Sequence, residues 1–171
     1  MQLRAARPDD ATAIQSIYAH HVLHGLATFE EAPPSTDEMR GRLLEVTARG
    51  LPYLVAAEAG EVLAYGYCAP YRLRSAYRYA LEDSIYVRDG HHRKGIGRAI
   101  LVELILGCEQ LNYRQLTAVI GDSAQVASIG LHASLGFVRA GVLRSVGYKF
   151  GRWVDTVIMQ RPLGTGDGTP P

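Results

Sequence analysis

Only two cysteines occur in 171 residues, Cys68 and Cys108, far apart in sequence and in neither a C-x-x-C pair nor a zinc-binding spacing. A thiolate metal centre and a disulfide-built scaffold are thereby excluded, and free thiols in a reducing cytoplasm are expected. Charge of one sign is not in excess either. With a formal net charge of +1, nothing global directs the chain to nucleic acid or to an anionic membrane, and any anion must be held by a local cluster. No stretch approaches the roughly 18 apolar residues of a membrane-spanning helix. Met1 to Ala11 carries two arginines, two aspartates and no apolar run, so it does not read as a signal peptide. Internal repeats and interior linkers are missing as well.

What is present is the composition of an ordinary globular domain, 47% apolar and 20% charged, on a chain long enough to bury a core without staples. One domain is expected over residues 1–163. The glycine, threonine and proline of 164–171 predict a disordered tail. Leu3–Ala5 reads as a strand. Pro8-Asp9-Asp10 opens a helix, with Ile14, Ile17, Tyr18 and Val22 at helical spacing. A second helix follows Pro33-Pro34, capped by Ser35 or Thr36, with Met39, Leu43 and Val46 on one face. Tyr53–Glu58 and Val62–Ala69 flank Gly60-Glu61 as a hairpin. Leu81–Val87 is a strand, and Ile96–Leu111, apolar almost all round, is a largely buried helix. Leu116–Ile120 is a strand. Ala124–Leu135 is a helix ended by Gly136 in a left-handed cap. Phe137–Leu143 and Thr156–Met159 supply the last strands. That order predicts an α/β domain, a mixed sheet with helices on both faces.

The most informative segment is the turn His91-His92-Arg93-Lys94-Gly95-Ile96-Gly97-Arg98, between the strand ending at Val87 and the long helix. First-turn N–H groups have no intrahelical acceptor, and the helix dipole adds partial positive charge. Glycine lets that backbone approach an anion closely. With Arg93, Lys94 and Arg98 beside it, a pyrophosphate is the natural guest. A dinucleotide fingerprint would need a third glycine where Ile100 stands, and a Walker loop would need Gly-Lys-Ser/Thr, which is absent. The spacing resembles the R/Q-x-x-G-x-G/A turn of the GNAT acetyltransferases, with His92 in place of the opening Arg or Gln.

The resemblance extends along nearly the whole chain, to the phosphinothricin and methionine sulfoximine N-acetyltransferase-like branch of that superfamily. It is carried by Ile17-Tyr18, Thr28-Phe29-Glu30, Pro52 to Ala56, Gly66-Tyr67, Arg72, Arg74, Ala76-Tyr77 and Glu82 with Ser84 to Val87. It continues through Val119 to Asp122, Ala127 to Ile129, Leu131-His132, Leu135 to Phe137, Val146 to Lys149, Trp153 and Asp155. Gln125 stands where the branch usually has asparagine. The resemblance implies a GNAT fold, its central sheet mixed and mostly antiparallel, and acetyl-CoA as co-substrate without a metal. It further implies a small amino-acid-like amine as acceptor and a homodimer. A GNAT acting on a protein N-terminus, lysine or polyamine, and a non-catalytic acyl-CoA-binding module, are the alternatives.

Under that resemblance each candidate has an expected role. Backbone groups of Ile85, Tyr86 and Val87 hold the pantetheine arm and the oxyanion. The 92–98 turn, with Gln125 and Ser128, holds the rest of the cofactor. Glu82, on a strand face with Ser84 and Tyr86, is the candidate general base, preferred to Asp83 on the opposite face. His132, four residues before Gly136, takes the position of the general-acid tyrosine found in many GNAT enzymes. Arg72, Arg74 and Tyr77 form a substrate loop whose guanidinium groups receive carboxylate or phosphinate oxygens. Interleaved arginine and tyrosine can also bind nucleic acid, but one short segment on a near-neutral chain is poor support for that. Thr28, Phe29 and Glu30 form the opposite wall, with Glu30 meeting an ammonium group. By the resemblance alone, Lys149 and Trp153 complete the pocket, with a dimer interface as one route.

Overall fold

The computed structural model describes residues 1–171. In chain order the elements are β1 (Gln2–Ala5), α1 (Ala11–His24), α2 (Thr36–Ala48), β2 (Tyr53–Glu58), β3 (Glu61–Pro70), β4 (Ala80–Val87), α3 (Ile96–Gln110), β5 (Gln115–Gly121), α4 (Val126–Ser134), β6 (Val138–Lys149) and β7 (Arg152–Pro162). The strands form one sheet in the order β1-β2-β3-β4-β5-β7-β6. Every neighbouring pair is antiparallel except β4 with β5. The chain is thus the mixed, mostly antiparallel α/β domain that the sequence predicts.

Local signals explain most of the helices. Ser35 caps α2, its Oγ accepting from Glu38 N at 3.2 Å while Glu38 Oε2 accepts from Ser35 N at 2.6 Å, the reciprocal pairing of a capping box. Met39, Leu43 and Val46 are the buried residues of that helix. Before α1 a short 3-10 turn, Pro8–Asp10, brings Asp10 to Arg4 of β1 in a bidentate pair at 2.7 and 2.8 Å. Gly136 has φ +86° after α4, and Phe137 N donates back to His132 O, which closes the helix as expected.

Alternation along the strands sorts the helices onto two faces. Tyr65, Tyr67 and Tyr86 stack toward α1, where Tyr18 meets Tyr86 edge-on at 5.0 Å. Gly66 and Ile85 point the other way, so that a Cβ on Gly66 would lie 2.6 Å from Ile100 of α3. Helices α1 and α2 therefore cover one face, and α3 and α4 the other.

Two regions depart from the sequence expectation. β6 and β7 are much longer than Phe137–Leu143 and Thr156–Met159, and they join through a turn in which Phe150 and Gly151 have φ +52° and +73°. β6 is mostly exposed and is interrupted by irregularities at Arg139/Gly141 and Leu143/Gly147. A run of inward apolar residues cannot form there, so periodicity is silent. The segment 164–171, expected to be disordered, instead carries turns folded against Arg114, whose guanidinium meets Thr165, Gly166 O, Thr169 and Pro170 O.

Candidate active site

β4 and β5 pair only from Ala80↔Gln115 to Asp83↔Ala118, and then diverge. Arg88 N donates to Leu63 O and Ala80 O accepts from Tyr71 N, so the even-numbered residues of β4 turn their backbone groups toward β3. The amides and carbonyls of Ile85 and Val87 consequently face the side that β5 has left. This opens a V-shaped cleft with its vertex at Asp83. At its mouth lies the start of α3, where Arg93, Gly95 and Gly90 all have positive φ, 59°, 79° and 77°. At Gly95, the N-cap, a left-handed backbone favours glycine. On the α3 face a Cβ at Gly97 would already touch Leu131, Val87 and Ile85 at 3.5 to 4.0 Å. Arg93, Lys94, Arg98 and His92 are exposed, and the first three form no ion pair with a carboxylate of the chain. An unneutralised cationic helix start opening onto a cleft of free strand groups fits a long ligand with an anionic end.

Glu82 projects to the α1/α2 face beside Tyr67 and Ser84, and burial pushes its carboxyl up, partly offset by the Arg72 charge. A carboxylate raised in this way is better matched to taking a proton near neutral pH. Arg72 leans over the Tyr71 ring at 4.3 Å. Together with Arg74 and Arg78 it lies on an exposed loop, and none of the three meets a carboxylate. Tyr77 packs edge-on against Tyr71 at 5.7 Å.

Residues 3–158 match the family described as an acetyltransferase (GNAT) domain. The chain is 56% identical to a phosphinothricin N-acetyltransferase from Alcaligenes faecalis, over 99% of this chain and 86% of that protein. It is 39% identical to an L-methionine sulfoximine/L-methionine sulfone acetyltransferase from Salmonella typhimurium, over 95% of each. A GNAT superfamily phosphinothricin acetyltransferase from Sinorhizobium meliloti, solved with acetyl-CoA, superposes with a TM-score of 0.96 at 47% identity, covering 99% of this chain and 92% of that one. The chain belongs to the GNAT acetyltransferases.

Within this GNAT domain the structure redistributes several expected site residues. Glu82 and His132 do not share a face. His132 lies under α4 on the α3/α4 side, 4% exposed, its Nδ1 donating to Ser128 O at 2.8 Å and its Nε2 3.0 Å from Asp83 Oδ2. Burial alone would lower the ring's pKa, but the hydrogen bond and charge of Asp83 outweigh it and hold it above the ordinary imidazole value. Lys149 is not a free pocket cation. It is 3% exposed, and its Nζ donates to Gly25 O and Thr28 O at 3.0 and 2.8 Å, so it secures the loop after α1. Glu30 is occupied too. Arg42 grips it at 2.7 and 3.3 Å, and the Tyr18 hydroxyl donates to it at 2.9 Å. Burial alone would raise the Glu30 carboxyl, but these two partners bring it below the usual range. The Tyr18 proton is thus committed, so Thr28, 2.7 Å away, must donate to Tyr18. Phe29 reaches across to lie on Gly147 and Gly121, where added Cβ atoms would come within 2.4 and 3.1 Å of its ring.

Gln125 is the N-cap of α4 without a side-chain capping bond, and Ser128 lies in its first turn. Since α4 follows β5, both belong to the far wall of the cleft. Two residues of the site carry no signal in the sequence. His21 of α1 donates from Nε2 to Val87 O at 2.9 Å, the carbonyl facing the cleft. Arg42 of α2 is the partner that removes Glu30 from the pocket. Both reach the site across long sequence separations from helix positions that read as ordinary polar surface.

Proposed function

We propose that this enzyme moves acetyl from acetyl-CoA to the α-amine of a small amino-acid-like acceptor of the phosphinothricin or methionine sulfoximine type, by direct attack of the amine on the thioester. The observation that carries this reading is the cleft, with the free Ile85 backbone groups and Val87 amide on one side and Glu82 half-buried on the other face of the same strand. Acetyl-CoA supplies the activated acetyl group. The 93–98 turn holds its pyrophosphate, Ile85 and Val87 hydrogen-bond its pantetheine arm, and an amide of β4 meets the developing oxyanion. Glu82, directly or through a water, takes the ammonium proton. His132, buried with its ring nitrogens bonded to Asp83 and Ser128, braces the vertex, and the departing thiolate takes its proton from water.

Arg72 and Arg74 bind the acceptor's carboxylate, and Phe29 walls its methylenes. The Alcaligenes and Salmonella relatives support this acceptor class. Three unpaired guanidinium groups on the 72–78 loop oppose a cationic polyamine or lysine. The enzyme acts as a homodimer in the cytoplasm. In support of the dimer, the β6–β7 hairpin exposes Val138, Leu143, Val146, Tyr148, Phe150 and Trp153, each more than half accessible, an apolar patch of the kind that marks an interface. In support of the compartment, both cysteines are buried free thiols.

The test is release of free thiol from acetyl-CoA by the purified protein. Phosphinothricin, methionine sulfoximine and methionine sulfone are to be compared with spermidine and with a short peptide bearing a free N-terminus. Turnover confined to the amino-acid acceptors is expected. Turnover of the polyamine or peptide alone overturns the acceptor class, and no turnover with any amine overturns the reading itself.

A further inference from the structure

We propose that His21 is a positioning residue for the cofactor: its imidazole clamps the last peptide of β4 and so sets the strand edge on which the pantetheine arm lies. The inference rests on acetyl-CoA as the donor, as read above, and not on the choice of acceptor.

β4 loses its neighbour β5 after Asp83↔Ala118. A strand edge left in this way has no ladder on that side to orient its peptides. The Val87–Arg88 peptide, the last of the strand, is held by other means. On the β3 side Arg88 N donates to Leu63 O at 2.8 Å. On the cleft side His21 Nε2 donates to Val87 O at 2.9 Å, from a residue 66 positions earlier in the chain. The Arg88 side chain adds a bond from Nε to Val62 O at 2.9 Å. The peptide is therefore fixed from both sides, by β3 and by α1, just before the chain enters the basic turn.

The histidine is itself held in place. Its ring lies 5.4 Å from the Tyr86 ring and meets His92 edge-on at 6.2 Å, centroid to centroid. It thus stands between the strand that takes the arm and the turn that takes the pyrophosphate. Burial lowers the ring's pKa and the Val87 bond offsets this in part; His92 and His20 add to the lowering, and Asp89 opposes it. Near neutral pH the ring is uncharged. A carbonyl only accepts, so the single ring hydrogen sits on Nε2.

The bond also decides what the edge offers a ligand. Ile85 presents an N–H and a carbonyl to the cleft, and Val87 an N–H whose carbonyl partner is already committed. An arm of amides laid along this edge meets two donors and one acceptor, by the main-chain pairing of an added strand. Attachment of α1 does not need the histidine, because Ile14, Ile17, Tyr18 and Val22 already bury that helix in the core. His21 touches no reacting atom; it acts on the cofactor through Val87.

The test compares His21→Leu and His21→Gln with the parent by calorimetry with acetyl-CoA, by steady-state kinetics, and by NMR of the imidazole nitrogens. Glutamine reaches about as far as the imidazole and keeps an N–H donor, whereas leucine keeps bulk alone. In His21→Leu the Kd and KM for acetyl-CoA should rise about tenfold, the scale of a carbonyl left without its partner. Its kcat and acceptor KM should stay within about twofold, and His21→Gln should bind acetyl-CoA within about threefold of the parent. S-acetylpantetheine, which lacks the pyrophosphate and nucleotide, should show the same loss in kcat/KM with His21→Leu, since the arm is what His21 positions. The parent ring should show the Nε2–H tautomer. His21→Asn, whose amide stops short of Val87, replaces His21→Leu if that variant does not fold.

Four results would overturn the inference. One is an Nδ1–H tautomer in the parent. Another is a His21→Leu protein that melts at lower temperature but binds acetyl-CoA like the parent, which marks a structural role only. A third is an equal loss in His21→Gln and His21→Leu, which removes the N–H donor as the cause. The last is a loss with acetyl-CoA and none with S-acetylpantetheine, which moves the effect to the turn through His92. Calorimetry on the parent separates all of these from failure of the acetyl-CoA reading, in which the parent itself binds no acetyl-CoA.

Discussion

At the scale of single residues, environment outweighs identity. Glu82 and Asp83 are adjacent carboxylates, yet strand alternation gives them opposite faces and different work. Glu82 meets the tyrosine-lined face under α1 and α2, where burial raises its pKa. A base must be ionised to act, so kcat should rise with pH through a value above the ordinary carboxylate range. Glu82→Gln should lower kcat by about 10²–10⁴-fold and abolish that acid limb, with acetyl-CoA affinity by calorimetry unchanged. Gly147 shows the same dependence on surroundings. A methyl group there would come within 2.4 to 2.9 Å of three atoms of the Phe29 ring. Gly147→Ala should therefore cost about 1–3 kcal/mol, as overpacking does, seen as a lower melting temperature with a raised KM for the acceptor.

At the scale of elements, the informative contacts are those that fasten one element to another. The Arg4–Asp10 pair ties β1 to the turn that starts α1, and Arg7 N adds a third bond to the same carboxylate at 2.7 Å. The Arg4 hydrogen bonds, above all, hold the Asp10 carboxyl below its usual value. A carboxyl depressed in the folded state contributes stability above its unfolded pKa of about 3.9, and that contribution is lost as pH falls through the folded value. Asp10→Asn should thus lower stability by about 1–3 kcal/mol near neutrality, the scale of a charge-assisted bond. Its melting temperature should converge with the parent's in acid; a constant gap across pH would count against this account. The loop after α1 is fastened in the same spirit by Lys149 and the Tyr18–Thr28–Glu30–Arg42 chain, which holds Phe29 over the site.

At the scale of the molecule, the sheet has one closed half and one open half. β2 to β4 are covered by helices on both faces, whereas the β6–β7 hairpin presents Tyr148 and Trp153, 5.2 Å apart and edge-to-face, to solvent. If this patch is the dimer interface, Trp153→Glu should shift sedimentation velocity from dimer to monomer at micromolar concentration while leaving the circular dichroism of the fold intact. A dimer that persists in this variant would place the contact elsewhere.

Much of the molecule was legible from sequence because the signals are local. Ser35 with Glu38, the Met39–Leu43–Val46 face, Gly136 after α4 and the hairpin about Gly60 each act within a few residues. The basic glycine turn acts through backbone conformation alone. The β6–β7 extent was not legible, since an exposed edge strand broken by bulges has no inward apolar rhythm to read. Nor was the use of charge in the site. Lys149 and Glu30 match the family pattern by position, but whether a charged group faces a ligand or is spent inside the protein depends on partners far along the chain. Gly25 and Thr28 carbonyls claim the one, Arg42 the other. The same holds for Asp83 and His132, 49 residues apart. The sequence by itself determined most of the elements, the family and the basic glycine turn, because those follow from neighbouring residues. Only the tertiary structure decided which face each carboxylate serves and which histidine nitrogen meets it, because burial and pairing of charge are properties of the packed sheet.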